Sequence, residues 1–332
     1  MKLIELASFE VAHAHLSWPW VAFDASGSRF AFSTSKSAIA TRVLREGAVT
    51  RGPSFSLPAD DFALRGFTLD STGGHLAAMG TAPTDEAAGL LVTVDASGAE
   101  PRRSHIELVF GAGFTAQGIA FDRSGERLWL SAESATETAI AVLDARTHAA
   151  LGVVRSAPFP PPSMHELVLH PTEDAVLVLA ACGEDGTFAR VARWSAGDNR
   201  LEAVPTALDD GSIPAGFVGF STDGTRVHLA EADELRTHAW PGLQELSSVE
   251  YQDDFVSSFA GAILGERILV DGEDSEAHED AAMVFDMSAL RGRLAFPPVP
   301  AGMWAGRLGA DALVTVEAKG EPSRGRVIRI AD

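Results

Sequence analysis

A ten-residue hairpin pattern recurs along this chain, and no other feature restricts its fold as strongly. Val21-Ala-Phe-Asp-Ala-Ser-Gly-Ser-Arg-Phe30 returns as Phe67-Thr-Leu-Asp-Ser-Thr-Gly-Gly-His-Leu76 and as Ile119-Ala-Phe-Asp-Arg-Ser-Gly-Glu-Arg-Leu128. It returns again as Val218-Gly-Phe-Ser-Thr-Asp-Gly-Thr-Arg-Val227. A degenerate copy, Leu167-Val-Leu-His-Pro-Thr-Glu-Asp-Ala-Val176, keeps the apolar alternation, and residues 262–268 and 307–313 are shortened copies. Turns at 27, 73, 125, 173, 224, 265 and 309 are spaced by about 47 residues on average. Each copy is a short apolar strand, a tight turn and a second strand. In the turn a small polar side chain bonds the backbone, and glycine supplies a left-handed conformation that is strained for other residues.

Further strands follow within each unit, such as Thr138-Ala-Ile-Ala-Val-Leu-Asp144 and Asp280-Ala-Ala-Met-Val-Phe-Asp286. Four short strands in a unit of roughly 40–50 residues mark a propeller blade. Helical periodicity over ten or more residues is absent. The expected fold is all-β: a seven-bladed β-propeller of four-stranded antiparallel blades, forming one domain over residues 1–332. Blades are expected at 17–58, 62–110, 114–156, 163–207, 213–250, 255–297 and 302–331. The last blade lacks an outer strand, while Lys2-Leu-Ile-Glu-Leu-Ala-Ser-Phe9 belongs to no blade. Pairing residues 2–9 with the last blade removes two open edges at once, so the N-terminal strand is expected to close the ring.

The third unit, Gly118 to Val154, resembles the YVTN-type propeller repeat in its turn-and-strand opening and its Val-Leu-Asp144-Ala-Arg-Thr147 close. The hydrophobic-Asp endings at Val94-Asp95 and Phe285-Asp286 are similar to the Trp-Asp of WD-repeat proteins, although this chain has no Trp-Asp dipeptide. The resemblance is one of fold. Propellers of this kind include scaffolds, lactonase-like enzymes and periplasmic sensors, so it does not by itself choose a function.

Composition narrows the partners. There are 46 acidic against 26 basic residues, a net charge of -20, which disfavours nucleic acid and suits a basic protein partner, a cation or simple solubility. Cys182 is the single cysteine, so neither an internal disulfide nor a cysteine-built zinc cage can form. The first ten residues carry one base and two acids with no apolar run, unlike a signal peptide, and the longest apolar stretch, Ala175 to Cys182, is too short to span a membrane. A cytoplasmic protein without membrane attachment is expected.

Loops entering the innermost strands of a propeller share one face, the top, with loops joining second to third strands. This placement gathers acid there: Asp60, Asp61, Asp209, Asp210, Asp253 and Asp254 precede innermost strands. The segment Asp271-Gly-Glu-Asp-Ser-Glu-Ala-His-Glu-Asp280, with Glu273 and Asp274, reads as a loop with six carboxylates and no Lys or Arg. At the start of the innermost strands, Arg65, Gln117, His165 and Glu166 are expected to line the channel mouth, walled by Trp18, Trp20 and Trp304 as a ligand-binding rim. No acid spacing matches a calcium loop, and His13-Ala-His15 is an isolated pair, so no metal or cofactor is expected. Nucleophile-elbow, phosphate-loop and dinucleotide motifs are absent, and no catalytic residue is assigned. The resulting expectation is an intracellular protein-binding scaffold whose acidic top face docks a basic partner. The alternative is a metal-assisted or acid–base hydrolase or lyase working at the channel mouth.

Overall fold

The computed structural model describes residues 2–12, 21–58, 62–82, 85–161, 163–182, 185–208, 215–251, 255–276, 279–286, 291–295, 303–316 and 323–331. Strand β1 (Lys2–Val11) precedes the first blade, which holds β2 (Val21–Phe23), β3 (Arg29–Ser35), β4 (Ala38–Arg45) and β5 (Ala48–Ser56). Blade two holds β6 (Ala63–Leu69), β7 (His75–Ala82), β8 (Asp85–Asp95) and β9 (Arg102–His105), and is followed by the short helix α1 (Glu107–Phe110). Blade three holds β10 (Thr115–Phe121), β11 (Arg127–Glu133), β12 (Thr138–Asp144) and β13 (Ala150–Ser156). Blade four holds β14 (Met164–Leu169), β15 (Ala175–Ala181), β16 (Thr187–Ser195) and β17 (Arg200–Val204). Blade five holds β18 (Gly216–Phe220), β19 (Arg226–Ala230), β20 (Glu234–Ala239) and β21 (Glu245–Glu250). Blade six holds β22 (Phe255–Leu264), β23 (Arg267–Asp274), β24 (Glu279–Asp286) and β25 (Arg291–Ala295), and the last blade holds β26 (Met303–Leu308), β27 (Ala312–Val316) and β28 (Ser323–Ala331).

Each sheet is a four-stranded antiparallel meander, and the seventh is completed by β1 in the order β1-β28-β27-β26. The chain is therefore a seven-bladed propeller closed by its N-terminal strand. β1 pairs with β28 from Lys2 opposite Ala331 to Val11 opposite Ser323, with one irregularity at Leu6. Among the described residues, an apolar cluster fills each of the seven junctions between adjacent blades. The junction between last and first blades contains Phe9 and Val11 of β1, Phe30 and Phe32 of β3, and Leu308 and Val314. The ring of Phe9 lies 4.4 Å from Phe32 and 5.1 Å from Phe30.

The recurrent hairpin works as its residues suggest. Gly27, Gly73, Gly125 and Gly224 all have φ between 65° and 74°. Asp24, Asp70 and Asp122 are buried and accept the backbone N–H of Arg29 (2.9 Å), His75 (3.0 Å) and Arg127 (3.1 Å). Blade four has a histidine in this place, and it does the same work: Nδ1 of His170 accepts the N–H of Thr172 at 3.2 Å and of Glu173 at 2.9 Å. Its Nε2–H donates to the carbonyl of Gly224 in the next blade at 2.8 Å. Similar reaches join other turns on this lower face. Arg29 donates to the carbonyl of Ser71, Arg127 donates to Asp174 at 2.9 Å, and Gly309 N–H donates to the carbonyl of Gly27 at 2.6 Å.

Candidate functional site

The upper ends of the innermost strands are shaped by β-bulges. In β6 the register jumps between Leu64 and Gly66, so Arg65 is the inserted residue; in β10 it jumps between Ala116 and Gly118, inserting Gln117. An inserted residue resets which side the next side chains take. Arg65 is exposed and Gln117 half-buried, while Gly66 and Gly118 turn inward. A Cβ on Gly66 would lie 2.7 Å from Cε of Met79, and one on Gly118 would lie 2.7 Å from Oγ of Ser131.

Strand β14 has no bulge: His165 to Leu169 pair continuously with β15. The alternation is therefore reversed relative to blades two and three. His165 stands where Arg65 and Gln117 stand in sequence, yet its side chain has no exposed surface. Its ring is wedged against blade three, with Nδ1 3.2 Å from Oγ of Ser131, Nε2 3.7 Å from Glu133, and the ring of Phe159 5.0 Å away. Burial lowers its pKa to about 4, so it is neutral at neutral pH. Ser163 donates a hydrogen bond to the same Glu133. Glu166 takes the open side instead. It is exposed, and desolvation by the protein around it raises its pKa to about 7.

Three of the expected rim residues lie on successive innermost strands. Arg65, Gln117 and Glu166 occupy the open side of three successive innermost strands, and none has a hydrogen-bond or ion-pair partner among the described residues. His165 faces away from that side, because consecutive strand residues point to opposite faces. Trp18 and Trp20 lie outside the described residues. Trp304 lies in β26, opposite Thr315.

Of the expected acidic face, Asp60, Asp61, Asp209, Asp210, Asp253 and Asp254 lie outside the described residues, as do His13 and His15. The segment 271–280 is mostly strand rather than loop. Asp271, Glu273 and Asp274 lie in β23, and Glu279 and Asp280 open β24. The reason is pairing: β22 starts as early as Phe255, which stands opposite Asp274 and gives the charged segment a ladder to join. Register sets Glu273 opposite Asp280 and Asp274 opposite Glu279. Oγ of Ser258 donates to Asp271 at 3.1 Å, while Glu273 is exposed.

A further acidic group on the same face was legible only as the run Glu231-Ala-Asp-Glu234 between β19 and β20. Ligand-capable oxygens of Glu231, Asp233 and Glu234 lie within 4.8 Å of one another. Arg236 is their counter-cation, 3.0 Å from Glu231 and also paired with Glu234 and, at 2.9 Å, Glu245. Glu231 is 2% exposed, and its Oε2 has no hydrogen-bond partner. Burial raises its pKa to about 7 against the opposing pull of Arg236. Burial raises the pKa of the Tyr251 hydroxyl above its usual range, against the opposing pull of Ser257. One arginine among four carboxylates leaves this end of blade five net negative.

No helix among the described residues is long and apolar enough to cross a membrane. The chain matches no protein-family model and no curated protein.

Proposed function

We propose that the chain is a protein-interaction module whose top face docks a basic, Lys- or Arg-rich segment of a partner. The observation that carries this reading is the end of blade six, where six carboxylates and no Lys or Arg fall between 271 and 280, and register sets Glu273 opposite Asp280 and Asp274 opposite Glu279. A segment so rich in carboxylates attracts a cationic surface and steers its approach. The Glu231 cluster on blade five adds negative charge on the same face. A hydrolytic reading needs His165 and Glu166 to address one point, and they face opposite ways on β14.

The test is titration with a hexa-lysine peptide over a range of salt. The combined top-face variant Glu273→Gln, Asp274→Asn, Glu276→Gln is set against a lower-face variant, Glu126→Gln, Asp198→Asn, Glu266→Gln. Affinity for the parent should fall steadily with salt, and the top-face variant should lose about tenfold while the lower-face variant stays within about twofold. Equal losses from both faces would reduce the acidity to a solubility device.

A further inference from the structure

The turn between β19 and β20 holds a polar atom that the fold does not satisfy. Glu231 is 2% exposed, and its Oε2 has no hydrogen-bond partner. A buried carboxylate oxygen without a donor is costly, and native structures seldom leave one. Arg236 does not answer it. Its Nε meets Oε1 of Glu231 at 3.0 Å, its Nη2 meets Oε1 of Glu234, and its Nη1 meets Oε2 of Glu245 at 2.9 Å, so all three nitrogens are engaged elsewhere. Asp233, in the same turn, makes no hydrogen bond or ion pair through its side chain among the described residues.

These groups converge. One carboxylate oxygen from each of Glu231, Asp233 and Glu234 lies within 4.8 Å of the other two. Glu231 is buried, Glu234 half-buried and Asp233 exposed, so the group reaches from the interior to solvent. The backbone of the turn is fixed from several sides. The N–H of Glu231 donates to the carbonyl of Glu234 at 2.9 Å, that of Ser257 in β22 to Ala232 at 2.9 Å, and that of Tyr251 to Asp233 at 2.8 Å. The flanking strands add no base: register sets Glu250 of β21 opposite Glu234, and β22 opens with Phe255-Val-Ser-Ser258.

Three carboxylates around one shared guanidinium keep an excess of negative charge, and every donor left over is an oxygen. Oxygen donors without nitrogen or sulfur suit a hard cation. Ca²⁺–oxygen distances of about 2.3–2.6 Å let one ion touch oxygens as far as about 5 Å apart, whereas Mg²⁺ at about 2.0–2.1 Å spans only about 4 Å and demands a stricter octahedron. We infer that the β19–β20 turn is a site for one calcium ion, held by Oε2 of Glu231 and the carboxylates of Asp233 and Glu234, with water completing its shell. Arg236 stays in place and fixes both glutamates through their Oε1 atoms. No calcium-loop spacing marks the site in the sequence, because a hairpin turn rather than a longer dedicated loop gathers its donors. The site does not depend on the docking reading, which rests on blade six.

The experiment titrates CaCl₂ calorimetrically into the chelator-treated full chain, with MgCl₂ in parallel and melting temperatures recorded with and without each ion. The parent should bind calcium with a Kd on the order of 0.1–1 mM, as expected where few protein ligands contribute. Its melting temperature should rise by a few degrees at about 10 mM calcium. Asp233→Asn removes a charge with no partner in the fold; it should lose about tenfold in calcium affinity while melting like the parent in the absence of the ion. Glu231→Gln should lose at least as much. The blade-six variant Glu273→Gln, Asp274→Asn, Glu276→Gln should stay within about twofold of the parent, and magnesium should bind the parent at least about tenfold more weakly than calcium. A parent that binds no calcium at about 10 mM, or an Asp233→Asn protein that binds it as the parent does, overturns the site. Equal losses from Asp233→Asn and the blade-six variant would make the ion part of a diffuse atmosphere, and equal affinity for magnesium would overturn the assignment to calcium. None of these outcomes touches peptide docking at blade six, so the two readings fall separately.

Discussion

Glu166 is held in surroundings that disfavour its charge, and this gives it a measurable signature apart from any ligand. Its folded-state pKa is raised from 4.5 to about 7. The folded chain thus holds the proton more tightly than the unfolded one. The benefit is complete below the unfolded pKa and is lost as pH climbs through the folded one. Replacing it by Gln should leave the melting temperature unchanged near pH 4 and raise it by a few degrees near pH 8. A lower melting temperature at both pH values would mean that Glu166 has a partner in the fold. Glu231 has a pKa raised just as far, but Glu231→Gln also breaks an ion pair of 3.0 Å with Arg236, so its sign cannot follow the same rule. At this scale the turn chemistry was readable in advance, because Asp24, Asp70 and Asp122 act on amides a few residues away. Which of His165 and Glu166 faces the channel was not readable. The answer depends on a bulge present in β6 and β10 and absent from β14, and a bulge is a property of paired strands rather than of local sequence.

Among the elements, β1 does most to hold the ring shut. Phe9 is buried and packs on Phe32 and Phe30 of blade one while its own strand is bonded to β28 of the last blade. Gly325 lies directly beneath its ring, where any Cβ would collide. Phe9→Ala should therefore cost about 3–5 kcal/mol in denaturant unfolding, and removing residues 2–11 should expose β28 and bring aggregation. A truncated protein that melts like its parent would show that β1 is dispensable. Closure by β1 was legible because one blade lacked a strand and one strand lacked a blade. The strand character of Asp271–Asp274 was not, since charge density argued for a loop and the long partner β22 decided otherwise. Blade four reads as degenerate for a similar reason: His170 has replaced an aspartate but caps the same amides through Nδ1.

For the whole molecule, seven apolar junctions hold together a chain with a net charge of -20. Self-repulsion on that scale opposes compactness and is screened by ions. The melting temperature should rise as salt is raised from about 0.01 M to about 0.5 M, where the Debye length falls well below the spacing of surface charges. A falling value would show that the ion pairs, such as Arg127 with Asp122 and Asp174, outweigh the repulsion. The pairing of β1 with β28 also has a meaning in time. On the ribosome, β1 emerges before every other strand of the propeller and its partner β28 after all of them. Phe9 and Val11 must wait, unpaired, while six blades assemble behind them, and long-range pairing of this kind is slow and open to wrong partners. A chain that stops short of Ser323 has no partner for its first strand, however well its other blades have formed.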